Sequence, residues 1–133
     1  MMWWKLSQQQ ALLNGQWTVM DRPIERKSFL FAVRIVKLYK HLRASKKEYV
    51  LSKQLLRAGT SIGANVAEAE QAQSHADFIS KMSIAWKEAS ETNYWLRLLR
   101  ETDYLSETEF SSIHCDCREL EKMLTAIVKT AKQ

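Results

Sequence analysis

Along most of the chain, apolar residues recur in steps of three and four, the spacing that keeps one stripe of a helix turned toward a partner. From residue 51 the stripe reads Leu51, Leu55, Ala58, Ile62, Asn65 and Ala69. A second runs through Phe78, Met82, Ala85, Ala89, Thr92, Leu96 and Leu99, and a third through Phe110, Ile113, Cys117, Leu120, Leu124, Ile127 and Ala131. Ahead of these, Ile24, Phe31, Ile35, Leu38, Tyr39 and Leu42 fill one arc, with Phe29, Ala32 and Val36 at its edge. Polar start signals separate the stripes. Ser45, Ser74 and Ser106 are each followed three residues later by an acid (Glu48, Asp77 and Glu109), the pairing that can satisfy the orphan N–H groups of a helix start. Asp21 followed by Pro23 marks the start of the first helix. The pattern predicts an all-α fold, an antiparallel up-down four-helix bundle with short links.

Composition agrees with this. Three glycines and one proline in 133 residues leave too few turn formers for a β-rich fold. The length suits one domain able to bury its own core. No run approaches the roughly 18 apolar residues of a membrane span, and the opening MMWWKL lacks the apolar stretch and cleavage site of a signal peptide. A cytoplasmic protein is expected. Residues 1–19 stand outside the periodic pattern and hold three of the five tryptophans. They read either as an extension ahead of a start at Met20 or as a docking tail whose Trp3, Trp4 and Trp17 bury on a neighbour. Residues 20–133 form the bundle domain.

Charge adds a candidate surface. The chain carries a net +5, yet residues 22–47 alone hold nine basic residues against Glu25, a net +8. Projected at 100° per residue, Arg26, Lys27, Arg34, Lys37 and His41 are expected opposite the apolar arc of the first helix, with Lys40 near the margin. Arg43, Lys46 and Lys47 carry the charge on toward the second helix. Such a stripe suits nucleic-acid backbone, since each neutralised phosphate releases counterions. No aromatic platform for base stacking is evident within it. The plain alternative is a solvated face that keeps the chain soluble. Leu30 and Val33 fall toward the basic side and suggest a subunit contact.

The stretch RAGTSIGANVAEA at 57–69 resembles a phosphate loop only superficially. Its glycines are one residue too close for the Walker pattern, and Ala64 and Asn65 stand where Lys and Ser/Thr would be needed. Gly59 and Gly63 are better read as one turn apart on a helix that lets another backbone approach. Arg57, Ser61, Asn65 and Glu68 step along one face there, and Glu88 and Glu91 follow in the third helix. They read as a polar network that sets register, or as a ligand or RNA contact. Di-iron chemistry needs Glu-x-x-His pairs, and none of His41, His75 and His114 has one. Cys115 and Cys117, two residues apart, point to nearly opposite sides of a helix and suit no metal. No metal, cofactor or catalytic constellation is expected.

LLRAGTSIGANVAEA, HADFISKMSIAWKEASETNYWLRLL and ELEKMLTAIVKT together resemble the 23S rRNA-intervening-sequence protein family, over roughly residues 25–130. The resemblance implies a small bacterial four-helix bundle assembled as a homopentamer, with no established catalytic activity. It places the family motif on Arg57, Ser61, Asn65, Glu68, Glu88 and Glu91. A related bundle, the accessory variability protein of diversity-generating retroelements, is a basic pentamer that binds nucleic acid and a reverse transcriptase. Two functions follow as expectations: a non-enzymatic oligomer binding nucleic acid, RNA foremost, or a scaffold for a protein partner such as an RNA-handling enzyme or reverse transcriptase.

Overall fold

The computed structural model describes residues 3–5 and 22–133. Four helices account for nearly all of the second stretch: α1 (Pro23–Ala44), α2 (Leu51–Ala69), α3 (His75–Glu101) and α4 (Glu107–Ala131). Trp3–Lys5 form a single 3₁₀ turn, and there is no strand among the described residues. Pro23 opens α1, where its missing N–H costs nothing because that position makes no helical bond. Asp21 and Trp17 lie outside the described residues. The residue at the α1 cap position is Arg22, which makes no capping bond.

Two of the three serine signals start helices. Ser106 and Glu109 form a reciprocal capping box at α4. Ser74 accepts from the Asp77 N–H at α3, while the Asp77 carboxylate turns to the Gln73 N–H. The third signal is corrected. Ser45 is the C-cap of α1, its N–H donating to the His41 carbonyl at 2.8 Å. Lys47 then takes a left-handed conformation at φ 55°, which delays the next helix. The cap of α2 is the Glu48 carboxylate, which accepts from the N–H groups of Val50, Leu51 and Ser52 at 3.3, 3.0 and 2.7 Å. One buried carboxylate thereby satisfies three of the orphan donors of the helix start, more than a serine hydroxyl can.

The links between helices are six, five and five residues long. Such links span at most about 20 Å, less than the roughly 28 Å of the shortest helix, so each helix returns beside the one before it. Each packs against the next in sequence, and α1 closes the ring against α4 less intimately, with the Trp3–Lys5 turn lying over both. The predicted stripes line the core: Leu55, Ala58, Ile62, Met82, Ala85, Ala89, Leu96, Leu99, Ile113, Cys117, Leu120 and Leu124 are all buried, as are Phe31, Ile35, Leu38 and Leu42. Each large apolar side chain removed from water contributes about 1.5–3 kcal/mol.

Gly59 and Gly63 set the α1–α2 crossing. A Cβ on Gly59 would stand 2.7 and 2.8 Å from Cγ1 and Cγ2 of Ile35. One on Gly63 would stand 3.2 Å from the backbone oxygen of Ser28. The stripe of small residues on α2 is therefore where the two helices come closest.

Candidate nucleic-acid interface

Three basic side chains of α1 are taken up by α4, while those of its C-terminal end are not. Lys27, Arg34 and His41 recur every seven residues and turn toward α4. Lys27 pairs with Glu119 at 2.9 Å, and His41 Nε2 lies 3.8 Å from Glu109. Arg34 is only 4% exposed. Its Nη1 bonds Asp116 at 2.6 Å and the Ser112 carbonyl at 3.2 Å, while Nη2 donates to Ser112 Oγ at 2.6 Å and the Trp4 carbonyl at 3.1 Å. The expectation of an exposed stripe through these residues is therefore corrected, and for Arg34 outright. The reason lies in helix geometry. Arg34 sits three residues after Phe31 and four before Leu38, so it stands beside the core positions and not opposite them. Arg26 is half-buried. Leu30, expected on the basic side, is buried as well.

Lys37, Lys40, Arg43, Lys46 and Lys47 form the second group, on the C-terminal half of α1 and the following link. Lys40, Lys46 and Lys47 are exposed and Lys37 and Arg43 half-buried. None of the five has an ion-pair partner among the described residues. The nearest acid in sequence, Glu48, is committed to the start of α2. Burial opposes its ionisation, but the N–H groups of Ser52, Leu51 and Val50 outweigh that and hold its carboxyl below the usual range. Cations at a helix C-terminus are favoured by the helix dipole, which accounts for one or two of them. Five exceed that need.

An aromatic feature accompanies this patch. The Arg43 guanidinium lies over the rings of Tyr49 and Tyr39, 5.1 and 5.4 Å from their centroids, and Tyr49 is 47% exposed. Tyr49 is the residue that the periodic reading passed over, because it falls in a link where no period applies. Its position beside a cluster of cations was the available signal. The outward face of α1 itself is apolar: Phe29, Ala32, Val33 and Val36 line a shallow groove bounded by Lys37 and Lys40.

The motif on α2 and α3 lies at the surface and comes together only in part. Arg57, itself half exposed, pairs with Glu88 at 3.3 Å and with Glu91, whose carboxylate also accepts from the Trp95 indole at 2.9 Å. Ser61 donates to the Arg57 carbonyl and Asn65 to the Ser61 carbonyl, both one turn back on their own helix. Glu68 stands apart, paired with Lys81 at 3.5 Å.

Among the described residues no three His, Cys, Asp or Glu side chains converge as a metal site would require. Cys117 is buried, its thiol donating toward the Ala89 carbonyl, and burial pushes its pKa far up, so it is not nucleophilic. Cys115 is exposed on the other side of α4. His114 stacks on Phe110 and hydrogen-bonds Asn93. Burial, with Arg118 adding to it, lowers its pKa, which favours a neutral structural imidazole. No described helix is long and apolar enough to cross a membrane.

The sequence pattern of the 23S rRNA-intervening sequence protein family matches residues 21–126. The chain belongs to this family. A crystal structure of a protein of unknown function from the S23 ribosomal protein family of Bacteroides thetaiotaomicron VPI-5482 is 57% identical, with a TM-score of 0.79. The alignment covers 80% of this chain and 98% of that one. No curated protein matches the chain significantly. The family match begins at residue 21, so Trp3 and Trp4 lie outside it.

Proposed function

We propose that this chain is a non-enzymatic, self-associating up-down bundle that binds nucleic acid, RNA foremost, along its backbone through Lys37, Lys40, Arg43, Lys46 and Lys47. The observation that carries this reading is a cluster of five cations whose only sequence-adjacent acid is consumed by a helix cap. Tyr49 extends the reading toward single-stranded segments, because an exposed ring beside an arginine offers a base a face to stack on. In a ring of copies, pentameric by family resemblance, the patch would repeat around the assembly and bind multivalently. Family membership supports the proposal in a general way, through the rRNA-gene context in the family's description.

A second reading is favoured by the groove of Ala32, Val33 and Val36 between Lys37 and Lys40, an apolar surface that a protein partner or a neighbouring copy would cover. A salt series separates the two. Binding of a structured RNA should fall with log salt at about −0.7 to −0.9 per phosphate contact. Lys40→Ala with Lys46→Ala and Lys47→Ala should lower that slope by about 2–3 and leave the fold unchanged. A flat salt dependence, or an unaltered slope in the triple variant, would refute the nucleic-acid reading and leave the scaffold.

A further inference from the structure

The α1–α4 seam holds a segment from outside the family's extent. Trp3 is only 6% exposed and joins the hydrophobic core. Its indole N–H donates to Glu109 Oε2 at 3.3 Å, and its ring lies against His41 and edge-on to Trp4. The next residue supplies a backbone contact: the Trp4 carbonyl accepts from Arg34 Nη2 at 3.1 Å and from Ser112 Oγ at 2.9 Å.

The groups that receive this segment are held in place by the bundle. The other oxygen of Glu109 accepts from the Ser106 N–H at 2.9 Å, which orients the carboxylate. Arg34 is fixed by Asp116 and by the carbonyl of Ser112. A preformed acceptor, a preformed pair of donors and an apolar slot between them are the components of a peptide site, because ordering costs then fall on the ligand alone. The related chain from Bacteroides thetaiotaomicron aligns over 98% of its length with four-fifths of this one, so a bundle of this kind folds without a counterpart for the whole of it.

We propose that the α1–α4 seam is a docking site for a tryptophan-bearing peptide segment, and that residues 3–4 of this chain are its detachable intramolecular occupant. Glu109 recognises the indole N–H, and Arg34 with Ser112 recognises the backbone carbonyl of the following residue. Sixteen residues, 6–21, connect the occupant to α1. Fully extended, a stretch of that length reaches about 55 Å, more than the roughly 40 Å of the longest helix.

The test uses the full chain carrying Trp3→Ala and Trp4→Ala, titrated by calorimetry with a synthetic peptide of residues 1–9. Circular dichroism establishes that the variant is folded. Saturable one-to-one binding is expected, at least tenfold tighter than to the wild-type chain, whose seam is already filled. A peptide with both tryptophans replaced by alanine should not bind, and adding Ser112→Ala to the receptor should weaken binding several-fold. Absent binding to the folded variant, or equal binding to the wild type, overturns the proposal. Should the double variant not fold, Trp3→Phe serves instead, since it keeps a ring in the slot and removes only the bond to Glu109. It should bind the peptide at least threefold more tightly than wild type, and equal affinity overturns the proposal. Light scattering checks that the occupant is intramolecular: a lower assembly mass for the variant than for the wild type would overturn that part by assigning the segment to a neighbouring copy.

Discussion

Arg34→Ala separates a structural cation from a ligand-binding one. Arg34 is 4% exposed and bonds Asp116, the Ser112 carbonyl and hydroxyl, and the Trp4 carbonyl, so truncation leaves a largely buried acid without its charged partner, while the Ser112 hydroxyl and the Trp4 carbonyl keep each other. Removing one member of a fully buried ion pair costs about 3–5 kcal/mol. The Asp116 side chain keeps 22% exposure and can regain water, which places the loss near the lower end, about 3 kcal/mol. For a domain of this size that is roughly a 10 °C fall in Tm. The assay is a thermal melt followed by circular dichroism, at one protein concentration because self-association shifts apparent stability. Lys40→Ala, at an exposed position of the same helix, should change stability by less than about 0.5 kcal/mol. Asp116→Ala and the double variant complete the cycle, with a coupling of about 1.5–3 kcal/mol expected for groups in direct contact. An Arg34→Ala chain that melts within about 2 °C of wild type, yet loses as much RNA affinity as Lys40→Ala, would refute the reasoning and return Arg34 to the binding surface.

The glycine crossing and the α2 cap give two further expectations. Gly59→Ala gains about 1 kcal/mol of helix propensity but forces a Cβ to within 3 Å of Ile35, so overpacking should leave a net loss of about 1–2 kcal/mol. On an Ile35→Ala background the same change should become neutral or stabilising in urea unfolding, and a loss of the same size there would refute the steric account. Glu48 titrates below the usual range in the folded chain, so its contribution is present above the ordinary glutamate value of about 4.3 and is lost as pH falls through the lower folded value. Glu48→Gln should therefore lower stability by about 1 kcal/mol at pH 7, and the gap between variant and wild type in melts should close toward pH 3. A gap independent of pH would show that the cap does not depend on the carboxylate charge.

Much of the fold was legible because it is local. The 3–4 spacing through Leu55, Ile62, Met82, Leu96, Ile113 and Leu120 marks the buried stripes without reference to any partner, and a serine with an acid three residues on needs only its own helix turn to work. That signal failed at Ser45, which caps the end of the first helix, and a left-handed Lys47 then left the start of the second to Glu48. The close approach at Gly59 and Gly63 could be anticipated from residue size, although the facing residues, Ile35 and Ser28, could not.

The candidate site was legible in charge but not in arrangement. Sequence by itself determined the four helices, most of their buried seams and the concentration of positive charge in residues 22–47. Periodicity tells which residues share a side of a helix, since that depends only on 3.6 residues per turn. It does not tell which neighbour covers the flanks of the apolar arc. Tertiary structure alone decided that Arg34 meets Asp116, 82 residues away, and that Trp3 reaches Glu109 across 106 residues. It also left the cations without an ion-pair partner among the described residues at Lys37, Lys40, Arg43, Lys46 and Lys47, beside Tyr49, because α4 and the Trp3–Lys5 turn take up Lys27, Arg34 and His41.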